Sequence, residues 1–269
     1  MPGFWRPRSW PFPTSAWPES WRRSRKKWPP RWKKRPEKLK PPDRRDNLLR
    51  IDPADPAPAI LSKAAGVLSA GGVLVFPTRS LYGLGVDAFN EKAVEKLFRI
   101  KGRPAGKPVL VLIHDLGQLG SLVIDVPETA RHLIRRFWPG RLTLVFHAGK
   151  GLPQKLTAGT GKIGVRLAGH PVAARLAAAF GHPITGTSAN RSGRPGAFRV
   201  PDLDPGDLDP GIRNAVDLIL DAGPLKGGAG STILDVTCDP PRILRKGAVS
   251  ASDIFSALDP KPGETPQSP

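Results

Sequence analysis

One cysteine, Cys238, serves the whole 269-residue chain, so no internal disulfide can brace it. Its five histidines, His114, His132, His147, His170 and His182, fall at no spacing that would build a zinc site. His170 and His182 each precede a proline and read as turn residues. No Ser/His/Asp order and no nucleophile elbow is present. No stretch approaches the roughly 18 uninterrupted apolar residues that a membrane-spanning helix needs. The basic N-terminus lacks the apolar centre and small-residue cleavage site of a secretory signal. These absences point to an enzyme or binding protein of a reducing cytoplasm, without membrane contact or a protein-bound metal. Any chemistry would rest on positioning and charge rather than on a covalent nucleophile.

Acidic residues are scarce: 23 Asp+Glu stand against 42 Lys+Arg, a net charge of +19. The excess is uneven. Residues 1–46 hold 15 Lys+Arg and 4 Asp+Glu, a net of +11, and residues 47–269 carry the remaining +8. Six of the seven tryptophans also lie in residues 1–46, among prolines that forbid a regular element. This segment reads as a disordered extension, because such a composition cannot offset its ordering entropy. A second reading is a tether for RNA, with Arg and Lys on phosphates and Trp on unpaired bases.

From Leu48 the texture becomes that of a folded domain, expected over residues 47–258 and followed by a frayed tail over 259–269. Apolar spacing predicts helices over residues 59–70, 91–100, 127–137, 171–180 and 251–258, with Asn90 capping the second. Short strands are expected at 73–76, 109–113, 142–146, 183–185, 218–220, 232–236 and 243–244. Ile163, Val165 and Leu167 alternate as a half-buried strand. Interleaved strands and helices give an α/β class with a mixed, twisted sheet. Residues 196–214 read as a long surface loop near a site.

Two nucleotide-binding patterns are set aside. Gly83-Leu84-Gly85-Val86-Asp87-Ala88 matches a dinucleotide fingerprint, but six residues separate it from the preceding strand. Gly102–Lys107 is one residue short of a P-loop, and Pro108 stands where a magnesium-binding hydroxyl belongs. A third pattern is Lys101-Gly102-Arg103-Pro104 with Lys107, three cations on a short, stiff turn after a helix. Such a group suits a triphosphate, and equally an ordinary basic helix C-terminus. Residues 185–193 and 227–232 crowd hydroxyls and glycines beside strands, which suits either a polar-ligand loop or a plain hydrophilic turn.

Taken together, seven ordered segments resemble the YrdC/TsaC family. They are Phe76-Pro77-Thr78-Arg79-Ser80-Leu81-Tyr82-Gly83-Leu84-Gly85, Ile100-Lys101-Gly102-Arg103-Pro104 and Lys107-Pro108-Val109-Leu110-Val111. After them come Trp138-Pro139-Gly140-Arg141-Leu142-Thr143, Thr187-Ser188-Ala189-Asn190-Arg191-Ser192-Gly193 and Ser231-Thr232-Ile233-Leu234-Asp235. The last is Pro241-Arg242-Ile243-Leu244-Arg245-Lys246-Gly247.

The resemblance implies one twisted α/β domain with a large, basic concave cavity. It implies synthesis of threonylcarbamoyl-AMP and diphosphate from L-threonine, bicarbonate and ATP, with Mg²⁺ carried on the ATP. The product would go to a transferase complex that modifies the adenosine 3′ of the tRNA anticodon, and contact with tRNA is a further expectation. By the same resemblance Lys101, Arg103, Lys107, Thr143, Ser188, Asn190 and Arg245 serve ATP, with Lys101 and Arg103 catalytic. Ser80, Gly186 and Ser231 would hold threonine. The family pattern has an acid and then Thr after Pro-Thr, where this chain has Arg79 and Ser80. A carbamoyl-transferring relative and an RNA-binding factor are the competing classes. The first carries zinc-binding cysteines in additional domains, and the second rests on basic charge alone.

Overall fold

Eleven short strands carry the described part of the chain, and they divide between two sheets. The structure is a computed structural model that describes residues 47–200 and 208–258. The expected extension over 1–46 and tail over 259–269 lie outside the described residues, as do positions 201–207 of the 196–214 loop. The described residues fall within one unit, Pro36–Asp259.

The first sheet orders β1 (Leu48–Arg50), β9 (Leu218–Asp221), β2 (Leu74–Pro77), β3 (Tyr82–Gly85) and β8 (Thr187–Ser188). Its first three strands run parallel, and β3 and β8 complete it antiparallel. The second orders β11 (Arg242–Arg245), β10 (Thr232–Asp235), β5 (Leu142–His147), β6 (Lys162–Leu167), β4 (Val111–Ile113) and β7 (Ile184–Thr185). It too is mixed: β10 runs parallel to β5, and β5 antiparallel to β6. The α/β class with mixed pairing therefore holds, with the strands shared between two sheets.

Helices α1 (Pro58–Ser69) and α5 (Pro171–Phe180) pack against each other. Their Leu61, Leu68, Val172 and Leu176 bury into one core with Phe76 of the first sheet and Leu112 of the second. Five or more side chains of this size, each giving about 1.5–3 kcal/mol on full burial, tie the two sheets together. Helix α2 (Glu91–Lys101) starts where Asn90 accepts a hydrogen bond from the Ala93 amide at 3.1 Å. It stops at Gly102, whose left-handed backbone (φ 57°) turns the chain out of the helix. Elsewhere α3 spans Glu128–Phe137, α4 Gln154–Thr157, α6 Pro210–Arg213 and α7 Ala251–Leu258. Among the described residues no helix is long and apolar enough to cross a membrane.

One crossing positions everything that follows. Strands β7 and β8 are separated only by Gly186, yet they belong to different sheets. A Cβ on Gly186 would meet Leu112 Cγ at 2.6 Å, so only glycine lets the backbone pass so close to β4.

Candidate active site

Strands β2 and β3 form a hairpin, with Phe76 opposite Gly83 and Pro77 opposite Tyr82. Its tip, residues 78–81, is closed by the Thr78 amide donating to the Leu81 carbonyl at 3.1 Å. Arg79 and Ser80 sit at the centre of that tip and line a cavity of about 260 Å³. The hairpin is held from below by Tyr82, which is fully buried. Its hydroxyl donates to the Gly223 carbonyl at 2.7 Å and accepts from the Ala222 amide at 2.9 Å. Burial, above all, drives the phenol pKa far upward, so Tyr82 stays neutral.

Five arginines line the cavity: Arg79, Arg103, Arg141, Arg166 and Arg245. They come from the hairpin tip, the turn after α2, the segment before β5, and strands β6 and β11. No carboxylate joins them in the lining. Burial lowers the pKa of Arg103, with Arg245 adding to the effect. Burial also pushes Arg166 down to about 10, helped by Arg245 and Arg79. Such mutual strain among like charges is relieved by an anion, so the cavity is electrostatically prepared for one.

Arg103 is fixed by its own turn, donating through Nε to the Lys107 carbonyl at 2.9 Å and through Nη2 to Pro108 at 2.6 Å. Lys107 itself is exposed and does not line the cavity. Lys101 is only 2% exposed and points the other way, into the loop after β8. Its ammonium donates to the carbonyl of Ser188 at 2.5 Å, to that of Asn190 at 2.7 Å and to Asn190 Oδ1 at 2.9 Å. All three N–H groups are thereby used. Burial, and then Arg103, bring its pKa down to about 7. Ser188 faces the cavity, while its hydroxyl donates to Asn190 Oδ1 at 2.5 Å.

On the opposite wall Ser231 is the hub. Its hydroxyl shares a 2.8 Å hydrogen bond with the buried Thr143, and its carbonyl accepts from Arg245 Nη2 at 2.7 Å. The Ser80 carbonyl accepts from the Gly227 amide at 3.0 Å, which joins the hairpin tip to the glycine loop before β10.

Of the ten residues singled out in the sequence, Ser80, Arg103, Gly186, Ser188, Ser231 and Arg245 line the cavity. Lys101, Asn190 and Thr143 stand behind that lining, bonded to Ser188 or Ser231. Two cavity arginines escaped the sequence reading. Arg141 lies in the segment 138–143, whose sequence pattern by itself assigns it no role. Arg166 had a legible signal: if Ile163, Val165 and Leu167 face the core, then Arg166 faces the other side. The dinucleotide pattern is accounted for by β3, whose Gly83 and Gly85 lie inside a buried strand. Among the described residues no cluster of three or more His, Cys, Asp or Glu could hold a metal.

Comparison with known proteins agrees with this architecture. The Sua5/YciO/YrdC family model, described as "Telomere recombination", matches residues 66–247. A threonylcarbamoyl-AMP synthase of Bacillus subtilis (strain 168) is 38% identical over 201 residues, covering 74% of this chain and 57% of that protein. A Mycobacterium tuberculosis (strain H37Rv) relative is 40% identical over 207 residues, covering 77% of this chain and 92% of its own. The crystal structure of P. abyssi Sua5 complexed with L-threonine superposes with a TM-score of 0.73 at 33% identity, covering 78% of this chain and 60% of that one. The chain thus spans little more than half the length of its Bacillus relative. By the extent of the family match and the identity to these relatives, the chain belongs to the Sua5/YciO/YrdC family.

Proposed function

We propose that this chain is a threonylcarbamoyl-AMP synthase that joins L-threonine, bicarbonate and ATP. The observation that carries the reading is the cavity itself: five arginines, no carboxylate, and Ser80, Gly186 and Ser231 on its walls. It suits a polyphosphate beside a small polar amino acid. The threonine bound to the Sua5 relative supports the same substrate here.

In this reading bicarbonate gives CO₂ and hydroxide, the threonine amine forms a C–N bond to the CO₂, and the hydroxide takes the amine proton, giving a carbamate and water. A carbamate oxygen then bonds to the α-phosphorus of ATP while the bond to the bridging oxygen breaks, and diphosphate leaves. Arg103 and Arg245 neutralise charge on the phosphates, and Ser188 meets them from the loop that Lys101 and Asn190 hold. Lys107 adds charge from the same turn as Arg103. Thr143 orients the Ser231 hydroxyl, while Ser80, Gly186 and Ser231 seat the threonine. Mg²⁺ would arrive on the triphosphate and supply further charge neutralisation. No general base need be assigned, because the carbamate is its own nucleophile.

The product would be consumed in the cytoplasm by a transferase complex acting on the adenosine 3′ of the tRNA anticodon. The basic excess of residues 1–46 is suited to weak RNA contact on that route. The test is incubation with ATP, bicarbonate and each amino acid in turn, followed by mass spectrometry of adenylates. The expected result is threonylcarbamoyl-AMP with L-threonine. Absence of an adenylate with every amino acid would overturn the reading.

A further inference from the structure

Thr232 opens β10 between two residues of the cavity lining, Ser231 and Ile233, without lining the cavity itself. It is only 1% exposed. Its hydroxyl donates to the Val249 carbonyl at 2.6 Å and accepts from the Val249 amide at 3.0 Å. One side chain thus does what a backbone partner would do. The reason lies in the sheet: β11 pairs with β10 from Arg242 opposite Asp235 to Arg245 opposite Ile233, where the ladder ends. Beyond Arg245 the chain has left the ladder, and the Thr232 hydroxyl keeps it attached.

The stretch so held, residues 246–250, runs tightly over the cavity wall. The Ala248 amide donates to the Gly230 carbonyl at 3.0 Å. A Cβ on Gly247 would meet the Ser231 carbonyl carbon and the Thr232 nitrogen at 2.5 Å, so only glycine allows this approach. The far end of the strap is anchored as well. The Ser250 hydroxyl accepts from the Asp253 amide at 3.0 Å at the start of α7, and Ile254 of that helix is fully buried. Beneath the strap lie the two groups that Ser231 offers. Its hydroxyl, bonded to Thr143, belongs to the seat read for the amino acid. Its carbonyl accepts from Arg245 through Nε at 3.2 Å and Nη2 at 2.7 Å. A shift of the peptide joining Ser231 to Thr232 would therefore move both together.

We propose that Thr232 is a positioning residue: its hydroxyl, acting through the strap 246–250, sets the Ser231 peptide and so places the amino-acid seat and Arg245 at once. The assignment rests on the synthase reading and adds to it a residue that touches neither substrate. A hydroxyl is donor and acceptor in one atom, so it satisfies both backbone groups of Val249. Serine can do the same, whereas valine keeps the shape of threonine and can do neither. Without the hydroxyl, an amide and a carbonyl lose their partner in a half-buried place, and the strap regains water for them by lifting off the wall.

The experiment is calorimetric titration of the ligand-free protein with L-threonine and with ATP, each alone, on the wild type, Thr232→Val, Thr232→Ser and Gly247→Ala. Thermal melting of each variant is recorded beside it. Thr232→Val is expected to weaken both ligands together, by about tenfold each, while still melting cooperatively. Thr232→Ser is expected to hold both within about twofold of the wild type, because it keeps the two hydrogen bonds. Gly247→Ala, which forces the strap away from the other side, is expected to reproduce the joint loss. A merely structural role would lower the melting temperature and leave both affinities in place, and that result in Thr232→Val would overturn the assignment. Loss of one ligand alone, or a Thr232→Ser as weak as Thr232→Val, would overturn it too. Failure of both Thr232→Val and Gly247→Ala to melt cooperatively would make the strap a folding element and overturn it likewise. A wild type that binds ATP but no L-threonine would instead overturn the synthase reading on which it rests.

Discussion

Lys101 and Asn190 are joined twice, through the backbone oxygen at 2.7 Å and through Oδ1 at 2.9 Å. The ammonium also holds Ser188, so it stitches the end of α2 to the loop that follows β8. Removing it leaves three oxygens without their donor in a site where water barely reaches. Lys101→Ala is expected to cut adenylate formation by about 10²-fold or more. Asn190→Ala should add little on that background, because the two residues act through one network. A double-mutant cycle on kcat/KM is the measurement, and fully additive losses would speak against the stitch.

Arg103 faces the cavity directly, and its turn is held by two carbonyls. Arg103→Ala is expected to lower kcat by about 10²-fold, as for loss of a transition-state charge partner. Rapid-quench turnover separates this from weaker ATP binding. Near-normal turnover would remove Arg103 from the chemistry.

The Lys101 ammonium also gives a signature in stability against pH. Its native pKa near 7 lies well below the value of 10.5 it would have in an unfolded chain. Between pH 7 and about 10 the unfolded state therefore binds the extra proton, and stability rises with pH across that window. Below pH 7 the cost of the buried charge is fully present. Urea unfolding of the wild type against Lys101→Met should show this upward slope only in the wild type. Parallel slopes would mean that the ammonium titrates elsewhere.

Ser80 predicts looser amino-acid selectivity than a threonine there would give. One methyl lost from a pocket wall is worth about 1 kcal/mol, or several-fold in affinity. Threonine should suffer and serine hardly change, so the preference between them narrows. Ser80→Thr is expected to widen it again, read as the ratio of rates with the two amino acids at matched ATP. An unchanged ratio would place the substrate methyl away from Ser80.

A chain beginning at residue 47 should keep its fold and its turnover. Asn47 must stay, since its amide donates to the Val216 carbonyl at 3.1 Å and its carbonyl accepts from Ile219 at 2.6 Å. Weak RNA binding should fall with the lost charge and show a shallower salt dependence. Loss of thermal cooperativity on truncation would mean that residues 1–46 help to hold the fold.

Elements with local signals were legible in the sequence, and those fixed from a distance were not. Residues 171–180 have Pro at the first helical position and Gly181 just past the end, and the helix has those bounds. The alternation of residues 163–167 matched β6 residue for residue. By contrast β3 is half glycine and β8 is two residues long, so neither carries strand propensity. They become strands because Gly83 finds Ser188 and Leu84 finds Thr187, a pairing about a hundred residues away. The same holds for the site. The cations after α2 were visible in sequence, yet only the fold shows that Lys101 turns inward and Arg103 toward the cavity.

The passage of the chain through Gly186 from one sheet to the other has a thermodynamic consequence. Cavity walls from both sheets come into register only when each sheet is complete, because one residue separates their strands. Partial melting of either sheet would then erase the site, leaving no half-formed binder. A ligand that occupies the cavity accordingly draws its stabilisation, RT ln(1 + [L]/Kd), from the whole cooperative unit and not from one lobe. Melting with saturating ATP should therefore raise a single transition and never split it into two.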